Sequence, residues 1–146
     1  SKTLKSVFKH LNLHKVDIEG ILLKPNMVIS GTKNEKQASV GEVAAMTIKC
    51  LKENVPNNLP GIVFLSGGQS NELATQNLNE MNKKNTDLPW KLSFSYGRAL
   101  QQPALSKWLG DDNNIESSQK ALFHRSKLNS DAASGVYNYE DEKIIL

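Results

Sequence analysis

Three short stretches carry residues whose types and spacing could do chemistry: Lys24 at the end of Gly20-Ile21-Leu22-Leu23, the turn Ser66-Gly67-Gly68, and the pair Gly97-Arg98. The lysine needs explaining first. An apolar run bounded by Gly20 and Pro25 reads as a short strand buried on both faces, with Pro25 ending its hydrogen-bonded ladder. Burial disfavours a charged ammonium, and a neutral amine attacks a carbonyl to form a Schiff base. Taken alone, a lysine at a strand end more often snorkels its head into water. Ser66-Gly67-Gly68 lets backbone N–H groups approach an anion, because glycine has no Cβ and the following helix presents its positive end. Arg98 adds a planar guanidinium that matches phosphate oxygens. Each of these is ordinary by itself, a turn or a surface cation, but together they fit a phosphorylated carbonyl substrate.

The surrounding periodicity supplies elements to hold them. Leu4, Val7, Phe8 and Leu11 share one helical face, so the chain begins on an amphipathic helix ending near His14. After the Lys24 strand, residues 30–36 have turn chemistry and are expected to be exposed and mobile. Ser39 and Glu42 form a capping-box pair, followed by Ala44, Ile48, Leu51 and Val55 along one face of a helix that stops at Pro56. Pro60-Gly61 opens a strand through Ile62-Val63-Phe64-Leu65. Beyond the glycine turn a helix carries Ala74, Leu78 and Met81 on one side. The pattern repeats from Lys91-Leu92-Ser93-Phe94-Ser95, through the tip Tyr96-Gly97-Arg98, into a helix that includes Leu105 and Trp108. Residues 111–114 break it. Ala121, Leu122, Leu128 and Ala132 mark a last helix, and the acidic Glu140-Asp141-Glu142 reads as part of a surface tail.

Strands alternating with helices imply β-α-β crossovers and a parallel sheet, so the three C-terminal strand ends share one edge. Lys24, Ser66-Gly67 and Gly97-Arg98 are therefore expected to converge. Glu19 precedes its strand, and no acid falls at a strand tip.

The 146 residues, 38% hydrophobic and 23% charged, suit one globular domain with its own core. No run approaches the roughly 20 apolar residues that span a membrane, and Ser1-Lys2-Thr3 leads into a polar helix, so a soluble chain without a membrane partner is expected. The net charge of +3 arises from 18 basic and 15 acidic residues dispersed along the chain, without the basic stripe of a nucleic-acid binder. His10 and His14 lack a third ligand at a recognisable spacing, so no metal is expected. The single Cys50 reads as a small core residue and fits a reducing compartment.

Leu22-Leu23-Lys24-Pro25-Asn26-Met27-Val28, Phe64-Leu65-Ser66-Gly67-Gly68-Gln69-Ser70 and Leu92-Ser93-Phe94-Ser95-Tyr96-Gly97-Arg98-Ala99-Leu100 closely resemble, in order and spacing, the class I fructose-bisphosphate aldolases. The resemblance runs to about Asn129. It implies an α/β fold, the C-terminal part of a (β/α)8 barrel comprising strands six to eight. Residues 1–134 would form the partial barrel and 135–146 a C-terminal tail. It further implies that Lys24 is the Schiff-base lysine and that Ser66, Gly67, Gly97 and Arg98 bind a substrate phosphate. The implied reaction is the reversible, cofactor-free cleavage of fructose 1,6-bisphosphate to dihydroxyacetone phosphate and glyceraldehyde 3-phosphate in cytoplasmic glycolysis. The implied partners are a phosphorylated sugar, the missing first part of the barrel and further copies of the complete enzyme.

Two departures accompany the likeness. Family members are roughly twice as long, so the first five strands with their catalytic carboxylates and further lysines are absent here. Many animal members end in a functional tyrosine, whereas this sequence ends Ile144-Ile145-Leu146, with Tyr137 and Tyr139 nearby. A fragment inactive alone is expected, its unclosed strands exposing Ile21, Ile62 and Leu92. The competing reading is a non-catalytic phosphate-binding or scaffolding module built on the same three strands. A weaker one keeps the imine but changes the reaction to a transaldolase-like transfer.

Overall fold

A computed structural model describes residues 2–144. Helix α1, Lys2–Leu13, turns Leu4 and Phe8 onto the core, whereas Val7 and Leu13 stay exposed. A 3₁₀ helix at Ile18–Gly20, capped by the Asp17 carboxylate accepting from the Glu19 N–H, leads into strand β1, Leu22–Leu23. Helix α2 spans Val40–Asn54 and begins with the reciprocal cap expected from its sequence. The Ser39 hydroxyl accepts from the Glu42 N–H, and the Glu42 carboxylate accepts from the Ser39 N–H at 2.8 Å. The bond from the Ser39 N–H, joined by one from the Ser39 hydroxyl, holds the Glu42 carboxyl below its ordinary pKa. Val43, Ala44, Ile48 and Leu51 form the buried face, joined by Val55 just past the helix.

Strand β2, Gly61–Phe64, continues into the turn and helix α3, Asn71–Lys84. Strand β3, Lys91–Phe94, continues into helix α4, Arg98–Trp108. Helix α5, Ile115–Ala133, packs along α4 and α3, and a 3₁₀ turn, Tyr139–Lys143, follows. The sheet order is β1-β2-β3, parallel throughout, with Leu22 opposite Gly61 and Ile62 opposite Leu92. Phe64, Ile62, Leu78 and Met81 are fully enclosed, with the faces of α2 and α3 and Ala132 of α5 completing the core. At the sheet's other end, the Trp90 indole N–H donates to the Pro56 carbonyl at 2.7 Å and ties two loops together.

Three expectations need correction. Strand β1 is not buried on both faces: it is two residues long, lies at the sheet edge, and leaves Leu22 60% exposed. Pairing does stop at Pro25, whose ring offers no donor and whose carbonyl takes the last bond, from the Leu65 N–H at 3.1 Å. Ile62 and Leu92 are not laid bare, at 0% and 4% exposed, because they lie on strands that helices cover. Finally, Glu142 is not a surface group. It forms an ion pair with Arg125, whose side chain is only 4% exposed. Residues 135–143 are held to the body further by the Tyr137 N–H donating to Asn79 Oδ1 and by Gly135, at φ +73°, whose lack of a Cβ lets it lie against the Asn82–Lys83 backbone. Ile145 and Leu146 of the expected tail are outside the described residues.

Candidate active site

The parallel register brings the three strand tips side by side, and two hydrogen bonds extend the pairing past the strands. Leu65 N–H donates to the Pro25 carbonyl, and Ser95 N–H donates to the Phe64 carbonyl at 2.9 Å. Lys24, Ser66-Gly67 and Gly97-Arg98 accordingly follow β1, β2 and β3 at one sheet edge. Lys24 is exposed there, because β1 has a neighbouring strand on one side only. Glu19 lies before β1, where its carboxylate faces the Asn58 carboxamide, and so sits at the opposite end.

The central tip is the most constrained. Gly67 and Gly68 adopt φ of +62° and +81°, a region that disfavours side chains. A Cβ on Gly67 would also overlap the Asn26 carboxamide oxygen, so the turn after β2 fits closely under the chain following Lys24. Ser66 is buried, and its carbonyl accepts from both the Gln69 N–H at 3.1 Å and Gln69 Nε2 at 2.8 Å. Ser70 caps α3 by accepting from the Leu73 N–H at 3.1 Å.

The tip after β3 is open. Gly97 is the N-cap of α4 and has no side chain to satisfy the first-turn donors, and a Cβ placed there would meet no atom within 4 Å. The helix start therefore leaves backbone N–H groups for an incoming anion, reinforced by the helix dipole. Arg98 is exposed and forms no ion pair among the described residues. Its charge is uncommitted. Tyr96, just before it, is buried and donates its hydroxyl to the Ala74 carbonyl at 2.9 Å, which fastens this tip to α3. Burial raises the Tyr96 pKa, only partly opposed by the charge of Arg125.

Sequence reading missed Asn26, Gln69 and Tyr96 as residues that shape the site. Each lies within two residues of a stretch singled out for chemistry, yet their partners include groups on other segments, so no spacing rule could reveal them. Among the described residues no three His, Cys, Asp or Glu side chains are grouped to hold a metal ion, and no helix is long and apolar enough to cross a membrane.

The strand tips thus set a lysine beside two glycine-bearing turns of a parallel sheet, with an uncapped helix start and an exposed arginine at one of them. The family model described as class-I fructose-bisphosphate aldolase matches residues 1–145, and the chain belongs to that family. It is 50% identical over 140 residues to fructose-bisphosphate aldolase 2 of Caenorhabditis elegans, covering 96% of this chain and 38% of that one. It is 48% identical over 136 residues to the cytosolic fructose-bisphosphate aldolase 6 of Arabidopsis thaliana, covering 93% and 38%. In three dimensions it superposes on fructose-bisphosphate aldolase from Plasmodium falciparum, solved in complex with TRAP and a small-molecule inhibitor. The TM-score is 0.91 at 44% identity, over 94% of this chain and 39% of that one. The fold is thus part of the aldolase (β/α)8 barrel, and the chain spans about two fifths of the length of these relatives.

Proposed function

We propose that this chain supplies the imine-forming lysine and a phosphate cradle to a class I fructose-bisphosphate aldolase of cytoplasmic glycolysis. The carrying observation is the parallel register that aligns Lys24 with Ser66-Gly67 and Gly97-Arg98 at one edge. In this reading residues 1–134 are barrel strands six to eight with their helices, 135–146 are the tail, and the first five strands come from the rest of the barrel. The complete enzyme is a homo-oligomer.

Lys24 Nζ adds to the ketone carbon of fructose 1,6-bisphosphate, and loss of water leaves a protonated imine. A base removes the C4 hydroxyl proton, the C3–C4 bond breaks, and its electron pair enters the imine to give an enamine as glyceraldehyde 3-phosphate departs. Protonation at C3 and hydrolysis then release dihydroxyacetone phosphate and restore the amine. Ser66, Gly67, Gly97 and Arg98 hold a phosphate by backbone N–H groups, a hydroxyl and the guanidinium, which fixes the ketone against Lys24. Phosphate sites at the last two strands are common in such barrels. The proton-transfer groups belong to the other strands, in keeping with the lack of acids at these tips.

Borohydride reduction of the full-length protein with dihydroxyacetone phosphate, followed by peptide mass mapping, tests the assignment. A reduced adduct on Lys24, absent in Lys24→Ala while phosphate binding persists, is the expected result. An adduct on any other lysine overturns it.

A further inference from the structure

We infer that Asn77 is a positioning residue for the phosphate loop 66–70 and acts through Gln69. The inference rests on the phosphate-binding role proposed for Ser66 and Gly67. Asn77 lies on α3 among Ala74, Leu78 and Met81 and is fully buried. A carboxamide is costly to desolvate there unless its groups are bonded. Its Nδ2 donates to Gln69 Oε1 at 2.6 Å, and Gln69 Nε2 donates in turn to the Ser66 carbonyl at 2.8 Å. The direction of this relay follows from chemistry. A carbonyl only accepts, so Gln69 must turn its amino group to Ser66 and its oxygen to α3, where only a donor can answer it. Asn77 Oδ1 bonds to no other described group, so the contribution of Asn77 to the loop is this donor.

The consequence reaches the anion site through the peptide plane. The described chain has no cis bonds, so the Ser66 carbonyl and the Gly67 N–H share one planar unit and point in opposite directions. Fixing the carbonyl on Gln69 therefore also fixes the direction of the Gly67 N–H, the donor proposed for phosphate. Glycines at 67 and 68, both at positive φ, leave the loop permissive, so the Gln69 side-chain bond braced by Asn77 adds to the loop's own bond from the Gln69 N–H to the Ser66 carbonyl in selecting one orientation. The same Gln69 amino group lies 3.6 Å from Met27 Sδ, a weak acceptor that takes no part in this relay.

The test uses the full-length protein, inorganic phosphate as probe, and two variants. Asn77→Leu keeps the volume and removes the donor; Gln69→Ala acts at a half-buried loop site and remains informative if the core variant fails to fold. The expected result is phosphate binding weakened about three- to tenfold in each, the equivalent of one ordinary hydrogen bond. Borohydride trapping of Lys24 with unphosphorylated dihydroxyacetone should be unchanged. Wild-type phosphate affinity in the variants overturns the inference and leaves the proposed function standing. Equal losses in both readouts also overturn it, since they would mark general loosening. Absence of saturable phosphate binding in the wild type overturns the phosphate role itself, and the inference with it.

Discussion

At the residue scale, the contrast between Lys24 and Arg98 on one side and Arg125 on the other separates exposed cations from one engaged in the structure. Arg125 is buried and bonded to Glu142, Thr75 and the Asn71 carbonyl, whereas Lys24 and Arg98 are exposed and form no ion pair among the described residues. An exposed guanidinium beside an uncapped helix start suits an anion that arrives and leaves. Charge-assisted hydrogen bonds contribute about 1.5 to 3 kcal/mol, so Arg98→Ala in the complete enzyme should cost roughly tenfold or more on the bisphosphate. An analogue lacking the bound phosphate should lose far less. Comparing kcat/KM for the two substrates checks this, and equal losses would remove Arg98 from the phosphate site.

At the element scale, the segment after α5 behaves as a strap. Glu142 accepts from Arg125 and from the Tyr137 hydroxyl at 2.8 Å, with side-chain exposures of 12% for Glu142 and 4% for Arg125. Lys143 and Glu140 pair nearby at 67% and 66% exposure, where solvent leaves such a pair worth about 0 to 1 kcal/mol. Removing one partner of a buried pair strands the other charge and costs about 3 to 5 kcal/mol. Because Thr75 and the Asn71 carbonyl still hold the guanidinium, Glu142→Ala should fall near 3 kcal/mol, at the low end of that range. Chemical denaturation measures the loss, and limited proteolysis within 135–143 should accelerate. A change below 1 kcal/mol would show that the strap contributes no more than a surface pair.

At the scale of the whole molecule, one buried phenol, Tyr96, and one half-buried phenol, Tyr137, set an alkaline limit. Burial raises the pKa of Tyr96, and burial, the hydrogen bond to Glu142 and its charge raise that of Tyr137. An unfolded tyrosine ionises near 10, so the folded state binds these protons more tightly. Their contribution to stability is complete below about pH 10 and is lost as pH rises toward the folded-state values. Urea titrations over that window should show falling stability, with a shallower slope in Tyr96→Phe; an unchanged slope would remove Tyr96 as a cause. The chain by itself should also show no aldol turnover. It places no acid at its strand tips, and Lys24 is hydrated at an edge strand. A polypeptide supplying the first five strands should restore activity. Lys24-dependent cleavage of fructose 1,6-bisphosphate by these 146 residues alone would contradict that.

Local signals sufficed for the elements and for the order of the site. The Ser39–Glu42 cap, the apolar faces of α2 and α3, and the strand-turn-helix units around 61–84 and 91–108 depend on near neighbours and on side-chain periodicity. Their alternation alone implied a parallel sheet and a common edge for Lys24, Ser66-Gly67 and Gly97-Arg98. What composition and spacing could not determine was decided by groups far apart in the chain. The exposure of Leu22 depends on which strands flank β1. The Pro25–Leu65 bond depends on register, the Asn26–Gly67 fit on the approach of two loops, and the burial of Glu142 on where Arg125 stands. Periodicity reports which face of an element is apolar. Only tertiary packing determines what covers that face, and which buried donor meets which acceptor.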